Sequence, residues 1–204
     1  MRTWVLILCT CSLAMAFGCG GGDGGGGPSD TPESLTAEGW TLFEQEEYDA
    51  AKSKFGQATT MDLTYADAHN GLGWANAKLD LLDESLAQFA QCITYGMTTA
   101  DPYAGQAAVY RDYGTEPDHF SSAVSYGLTA LSKARRYVFS HDTSFDWKDL
   151  MLILAHSYCG LGEFETANSW VDSLPQGNPV SPADPDFEEE LIDEIERLTG
   201  IYGG

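Results

Sequence analysis

The sequence predicts an all-α protein: about three to four antiparallel helix pairs stacked as an α-solenoid and closed by a C-terminal capping helix. Three observations predict it. The chain matches itself at a 34-residue offset, with Gly39 falling on Gly73, Tyr48 on Leu82, Ala51 on Ser85, Phe55 on Phe89 and Ala58 on Cys92. Small residues land on small ones and large on large, and a period of that length marks a repeat architecture. Helix-start signals stand where the period needs them: Thr31-Pro32-Glu33 offers a capping side chain, a proline for the first helical position and an acid for the first turn. No run of alternating apolar and polar residues is long enough to make a useful strand.

Residues 1–18 come before this region and read as an export signal. Arg2 supplies one positive charge, and Thr3 to Phe17 is an uncharged, mostly apolar run. The run is shorter than the roughly 20 apolar residues of a membrane span, and no basic flank follows it. It ends in Ala16-Phe17-Gly18-Cys19, which resembles the lipobox of bacterial lipoproteins. The resemblance implies a diacylglyceryl group on the Cys19 sulfur, cleavage after Gly18 and acylation of the new amino terminus. Two acyl chains anchor stably where one binds only marginally. Gly20, rather than Asp, follows the cysteine, which by the same resemblance places the protein in the outer membrane in preference to the inner. Residues 19–33 are then a lipidated cysteine and a tether, whose GGGDGGGGPS stretch cannot form a core. As a flexible coil it spans roughly 20 Å and holds the folded part off the bilayer.

The helical domain is expected over residues 34–204. Its first unit carries Gly39, Tyr48, Ala51, Phe55 and Ala58, and its second carries Leu72-Gly73, Leu82, Ser85, Phe89 and Cys92. A fourth unit has Met151, Leu154-Ala155, Tyr158, Gly162, Phe164, Ala167, Val171 and Leu174. This pattern resembles the tetratricopeptide repeat, a helix pair with small residues at positions 8, 20 and 27 and bulky ones at 4, 7, 11, 17 and 24. Helices that pack 8–10 Å apart need small side chains where the backbones approach and large ones in the flanking grooves. Asp49 and Asp83 fall at the start of the second helices, the end of the dipole that suits an acid. The third unit fits only with four residues inserted near Gly114–Pro117, which puts Phe120, Ala123 and Ala130 at positions 17, 20 and 27. A further stretch, about Phe139 to Asp146, separates it from the fourth unit. After a loop rich in Pro, Gly and Asn, the stripe Phe187, Leu191, Ile195 and Leu198 predicts the final helix. Its outer face is acidic, as suits a cap over the exposed edge of an array.

Ten basic and 31 acidic side chains give a net charge of −21. That balance excludes nucleic acid as a partner, since phosphate binding needs clustered Lys and Arg. It also excludes docking by charge onto an anionic membrane surface. No metal-ligand spacing, phosphate loop, dinucleotide fingerprint or nucleophile elbow is present. The reading is a non-catalytic protein without a cofactor. Cys92 sits in a small-residue slot and is expected to be a buried thiol.

The resemblance implies where a partner binds. In this family the first helix of each pair lines the concave face through positions 2, 5, 9 and 12. Here those are Glu33, Thr36, Trp40 and Phe43; Asp67, Asn70, Trp74 and Ala77; Asp101, Ala104, Ala108 and Arg111; and Asp149, Leu152, His156 and Cys159. Trp and Arg dominate interface energies, so a groove at Trp40, Phe43, Asn70, Trp74, Arg111 and His156 is one reading. The other is that both tryptophans pack against the neighbouring unit or beneath the third unit's insert. The family's basic clamp for acidic tails is missing, and the acidic rim favours a neutral or basic protein segment. The expected function is thus a lipid-anchored interaction module of the bacterial envelope. The alternative is a glycan or small ligand stacked on Trp40 and Trp74.

Overall fold

The computed structural model describes residues 30–114 and 116–202. The expected signal peptide, Cys19 and most of the tether lie outside the described residues. Among those described are nine helices: α1 Pro32–Glu44, α2 Tyr48–Met61, α3 Ala66–Lys78, α4 Leu82–Thr94, α5 Asp101–Tyr113, α6 Pro117–Lys133, α7 Trp147–Gly160, α8 Phe164–Asp172 and α9 Phe187–Tyr202. The first helix begins two residues before the expected border at residue 34. The reason is the anticipated cap: Thr31 Oγ1 accepts from the Ser34 N–H at 3.2 Å, and Ser34 Oγ accepts from the Thr31 N–H at 2.9 Å.

Successive helices pack as hairpins, α1 on α2 through α7 on α8, and each pair leans on the next. The odd-numbered helices touch one another in turn, whereas α2, α4, α6 and α8 do not. The array therefore curves, with the odd helices on its inner, concave side. Each hairpin interlocks through recurring small and apolar residues: Ala51/Phe55/Ala58 on α2, Ser85/Phe89/Cys92 on α4, Ala123/Gly127/Ala130 on α6, and Ala167 and Val171 on α8 with Leu174 just past its end; all are buried, and Gly127 packs under Leu154. Phe55 fits between Gly39 of α1 and Gly71 of α3, and Phe89 between Gly73 and Gly105 of α5. A Cβ at any of these glycines would lie 2.2–2.6 Å from a phenylalanine ring.

The third unit departs from the sequence expectation in one respect. The four extra residues make no longer corner, since three residues join α5 to α6 just as three join α1 to α2. They form an additional turn at the start of α6, which has 17 residues where α4 has 13. Pro117 at the first helical position makes that turn favourable. Position 24, a phenylalanine in the first two units, is Gly127 here, and Leu154 of α7 fills the space from the other side.

The cap forms as expected. Leu191, Ile195 and Leu198 of α9 are buried against α7 and α8. The preceding loop is fixed by Asn168, whose amide donates to the Val180 carbonyl at 2.7 Å and whose carbonyl accepts from the Val180 N–H at 2.9 Å.

Candidate functional site

The concave face divides into two halves. Over its first half lies the chain's own segment 134–146, which links α6 to α7 and runs back across the inner side of α1, α3 and α5. It is a strap with aromatic teeth. Phe139, 1% exposed, stacks on Trp74 with ring centroids 4.2 Å apart and meets Trp40 edge-on at 6.0 Å. His141 lies flat on Trp40 at 3.9 Å, and Phe145 meets Trp74 edge-on. Polar bonds pin the strap to α1, α3 and α5. Lys78 Nζ donates to Asp142 at 2.8 Å, His141 Nδ1 sits 2.8 Å from Glu44, and the Tyr137 hydroxyl donates to Asp101 at 3.0 Å. The Phe139 and Trp147 N–H groups, bonded to the Phe145 and Tyr137 carbonyls, close the strap on itself.

The groove expected at Trp40, Phe43 and Trp74 is thus filled from within. Trp40 and Trp74 are 6% and 4% exposed, and Phe43 and Asn70 are buried as well. A sugar stacked on the two indoles finds both rings already covered. The Trp40 Nε1–H points at both carboxylate oxygens of Asp67, each at 3.4 Å. Burial pushes the Asp67 carboxyl above its ordinary range, and the indole bond only partly offsets this. The Trp74 Nε1–H has no partner among the described residues. Leaving such a donor unsatisfied costs about 1–3 kcal/mol, a loss that burial of an indole and a phenyl ring outweighs at about 1.5–3 kcal/mol per side chain plus ring stacking.

The second half is open. A cleft of about 800 Å³ lies between the end of α5, the start of α6, the outer turns of α7 and the side of α9. Three expected concave positions of α7 (Leu152, His156 and Cys159) and Arg111 of α5 line it. The structure therefore brings Arg111 and His156 together and separates them from the Trp40 cluster. Phe120 and Phe164 supply the floor, and Phe120 can lie against α7 because Gly160 has no side chain there. The far wall is Ile192, Ile195, Glu196 and Thr199 of α9. Ile192 remains 43% exposed at the mouth. His156 meets solvent, yet the walls desolvate its ring, and this, followed by the nearby Arg111 charge, pushes its pKa below the ordinary value. Arg111 is already engaged: its Nε and one terminal nitrogen donate to Asp112 at 2.9 and 2.7 Å.

Both described thiols are free. Burial pushes Cys92 up to about 12 and Cys159 up to about 11, so neither is an activated nucleophile. His69 is bonded on both ring nitrogens, to Gln88 at 2.7 Å and the Leu63 carbonyl at 3.0 Å. Among the described residues no group of three acidic, His or Cys side chains could hold a metal ion.

The fold is that of tetratricopeptide-repeat proteins. Solved structures with this architecture include YrrB, a tetratricopeptide-repeat protein described as having an unusual peptide-binding site (TM-score 0.60, 13% identity, 81% of this chain and 85% of that one). MamA matches with a TM-score of 0.56 at 18% identity over 83% and 81% of the two chains. A thermophilic tetratricopeptide-repeat protein of Thermus thermophilus, TTC0263, matches at 0.55 and 18% over 84% and 83%. No protein-family profile matches the sequence, nor does any curated protein. Within the tetratricopeptide-repeat fold, the strap and the α9 wall are the features that sequence periodicity did not disclose. The strap's signal was its density of rings, with Tyr137, Phe139, His141 and Phe145 inside nine residues. Of the cleft's α9 residues, Ile192, Glu196 and Thr199 lie off the stripe that packs the cap, and Ile195 belongs to both.

Proposed function

We propose that this protein is a non-catalytic protein-interaction module of the bacterial cell envelope, tethered by lipid on Cys19, with preference for the outer membrane. Its partner is a neutral or basic protein segment that docks in the cleft at Arg111 and His156. One observation carries the reading: the part of the concave face that the strap leaves open is a cleft lined by the positions such repeats turn inward. YrrB, with its peptide-binding site, is a precedent for this fold accepting a protein segment. A tethered module also raises the effective concentration of its site near the membrane.

Crosslinking in the native envelope followed by capture tests the site. It compares the wild type with an Arg111→Ala/His156→Ala variant whose helicity is checked by circular dichroism. Proteins lost only in the variant support the cleft, and an unchanged list removes it. Trp40 and Trp74 are unsuited to this test because both are core residues. The anchor is tested separately. Cys19→Ser is expected to abolish incorporation of a fatty-acid label and to move the protein from the membrane to the soluble fraction. Labelling that persists would reject lipidation at that residue.

A further inference from the structure

The cleft's chemistry narrows the partner. Its floor is apolar, through Phe120, Leu152 and Phe164, and Ile192 stays 43% exposed at its mouth. Its charge is one-sided. Arg111, the cleft's cation, is held by Asp112, while Glu196 on the α9 wall makes no ion pair with any described residue. Glu188, at the start of the same helix, acts on the Cys159 thiol by its charge, whereas Glu190 and Asp193 line the opposite side of α9 with Arg197. An occupant must therefore place apolar side chains on the floor and positive charge toward α9. An acidic occupant would meet like charge on that wall, which costs affinity and association rate.

We infer that the cleft is built for an amphipathic segment carrying Leu-like side chains on one face and Lys or Arg beside them. The segment's apolar side chains enter between α5, α7 and α9, and its cations lie along Glu196 and Glu188. This rests on the cleft being the partner site.

The test uses the full chain in zwitterionic nanodiscs, with empty discs as the blank. Two labelled synthetic peptides share the same leucine spacing at helical period; one has Lys and the other Glu at the polar positions. Fluorescence anisotropy is expected to show saturable binding of the Leu/Lys peptide at least tenfold tighter than the Leu/Glu peptide. Glu196→Lys is expected to weaken Leu/Lys binding about tenfold. The deciding variant is Ile192→Asp, at a residue exposed enough to change without unfolding the cap. It adds a negative charge, so attraction by the acidic surface alone would tighten binding, whereas docking in the cleft predicts a tenfold or greater loss. Tighter or unchanged binding in Ile192→Asp overturns the inference, as does equal binding of the two peptides. If neither peptide binds while the Arg111→Ala/His156→Ala variant still loses a crosslinked protein, the cleft stands as the site and this chemistry falls. If that variant loses nothing either, both fall.

Discussion

At the scale of single residues, the fold turns on glycines that receive phenylalanine rings. Gly71 has a ring carbon of Phe55 2.3 Å from where its Cβ would sit, whereas Gly56 has nothing within 4 Å. Gly71→Ala is therefore expected to destabilise by about 1–3 kcal/mol through overpacking. Gly56→Ala, in an open part of α2, is expected to stabilise by up to about 1 kcal/mol. Urea midpoints at constant slope measure both, and equal shifts would contradict the interlock. Gly39 and Gly73 were legible because they fall on a motif position. Gly71 and Gly105 repeat with the same period, yet they stand at a position the motif leaves free, and only the ring seated between the two helices gives them a role. Asp67 yields a second expectation. Its folded pKa is raised, so the folded state prefers the proton, and its contribution is full below the ordinary carboxylate value and lost as pH rises through the folded one. Asp67→Asn, which keeps an acceptor for the Trp40 indole, should raise Tm at pH 7. The gain should shrink as pH falls toward about 4, near the ordinary carboxylate value. A gain that is constant with pH would show that the carboxyl is not the cause.

At the scale of elements, the hairpin corners repeat as faithfully as the helices. Glu46, Asp80 and Gly114 stand 34 residues apart and all have positive φ, at 62°, 59° and 29°. At the first two corners, the N–H of Glu47 or Leu81 reaches back to the Leu42 or Asn76 carbonyl at 2.9 Å, which ties off the preceding helix. A left-handed non-glycine residue costs about 1–2 kcal/mol, so Glu46→Gly is expected to stabilise by about 1 kcal/mol, read as a higher Tm with unchanged circular dichroism. The helices were legible because burial imposes a period on them. The extra turn of α6 was legible only as four residues too many, since a longer helix and a longer corner leave the same gap in a repeat alignment. The strap was not legible as a cover for the groove, because a non-helical segment that turns back on itself and packs once against several helices has no period to betray it. Phe139 is its anchor, and Phe139→Ala is expected to cost about 3–5 kcal/mol and to expose Trp40 and Trp74 to a fluorescence quencher. Full stability in that variant would show the strap to be a passenger.

At the scale of the whole molecule, the residues that the sequence grouped as one groove fall into two separate places. Arg111 and His156 meet in one cleft, while the tryptophans that headed the list became core, because buried and groove-facing tryptophans look alike until one knows what lies over them. That difference reaches beyond binding. In a plain stack of repeats each unit touches only its neighbours, so the ends can fray and the array can unravel unit by unit. Here the strap carries His141 onto Trp40 at 3.9 Å and onto Glu44, 97 residues away in sequence. The first unit is thereby fastened to the linker that leads into the fourth. Loss of α1 uncovers Phe139, and loss of Phe139 loosens α3 and the approach to α7. Native-state hydrogen exchange should accordingly find α1, α3 and the start of α7 opening together with a single free energy, rather than in a gradient from the amino end. The repeats of this protein are not interchangeable modules that can be added or trimmed, but parts of one cooperative folding unit.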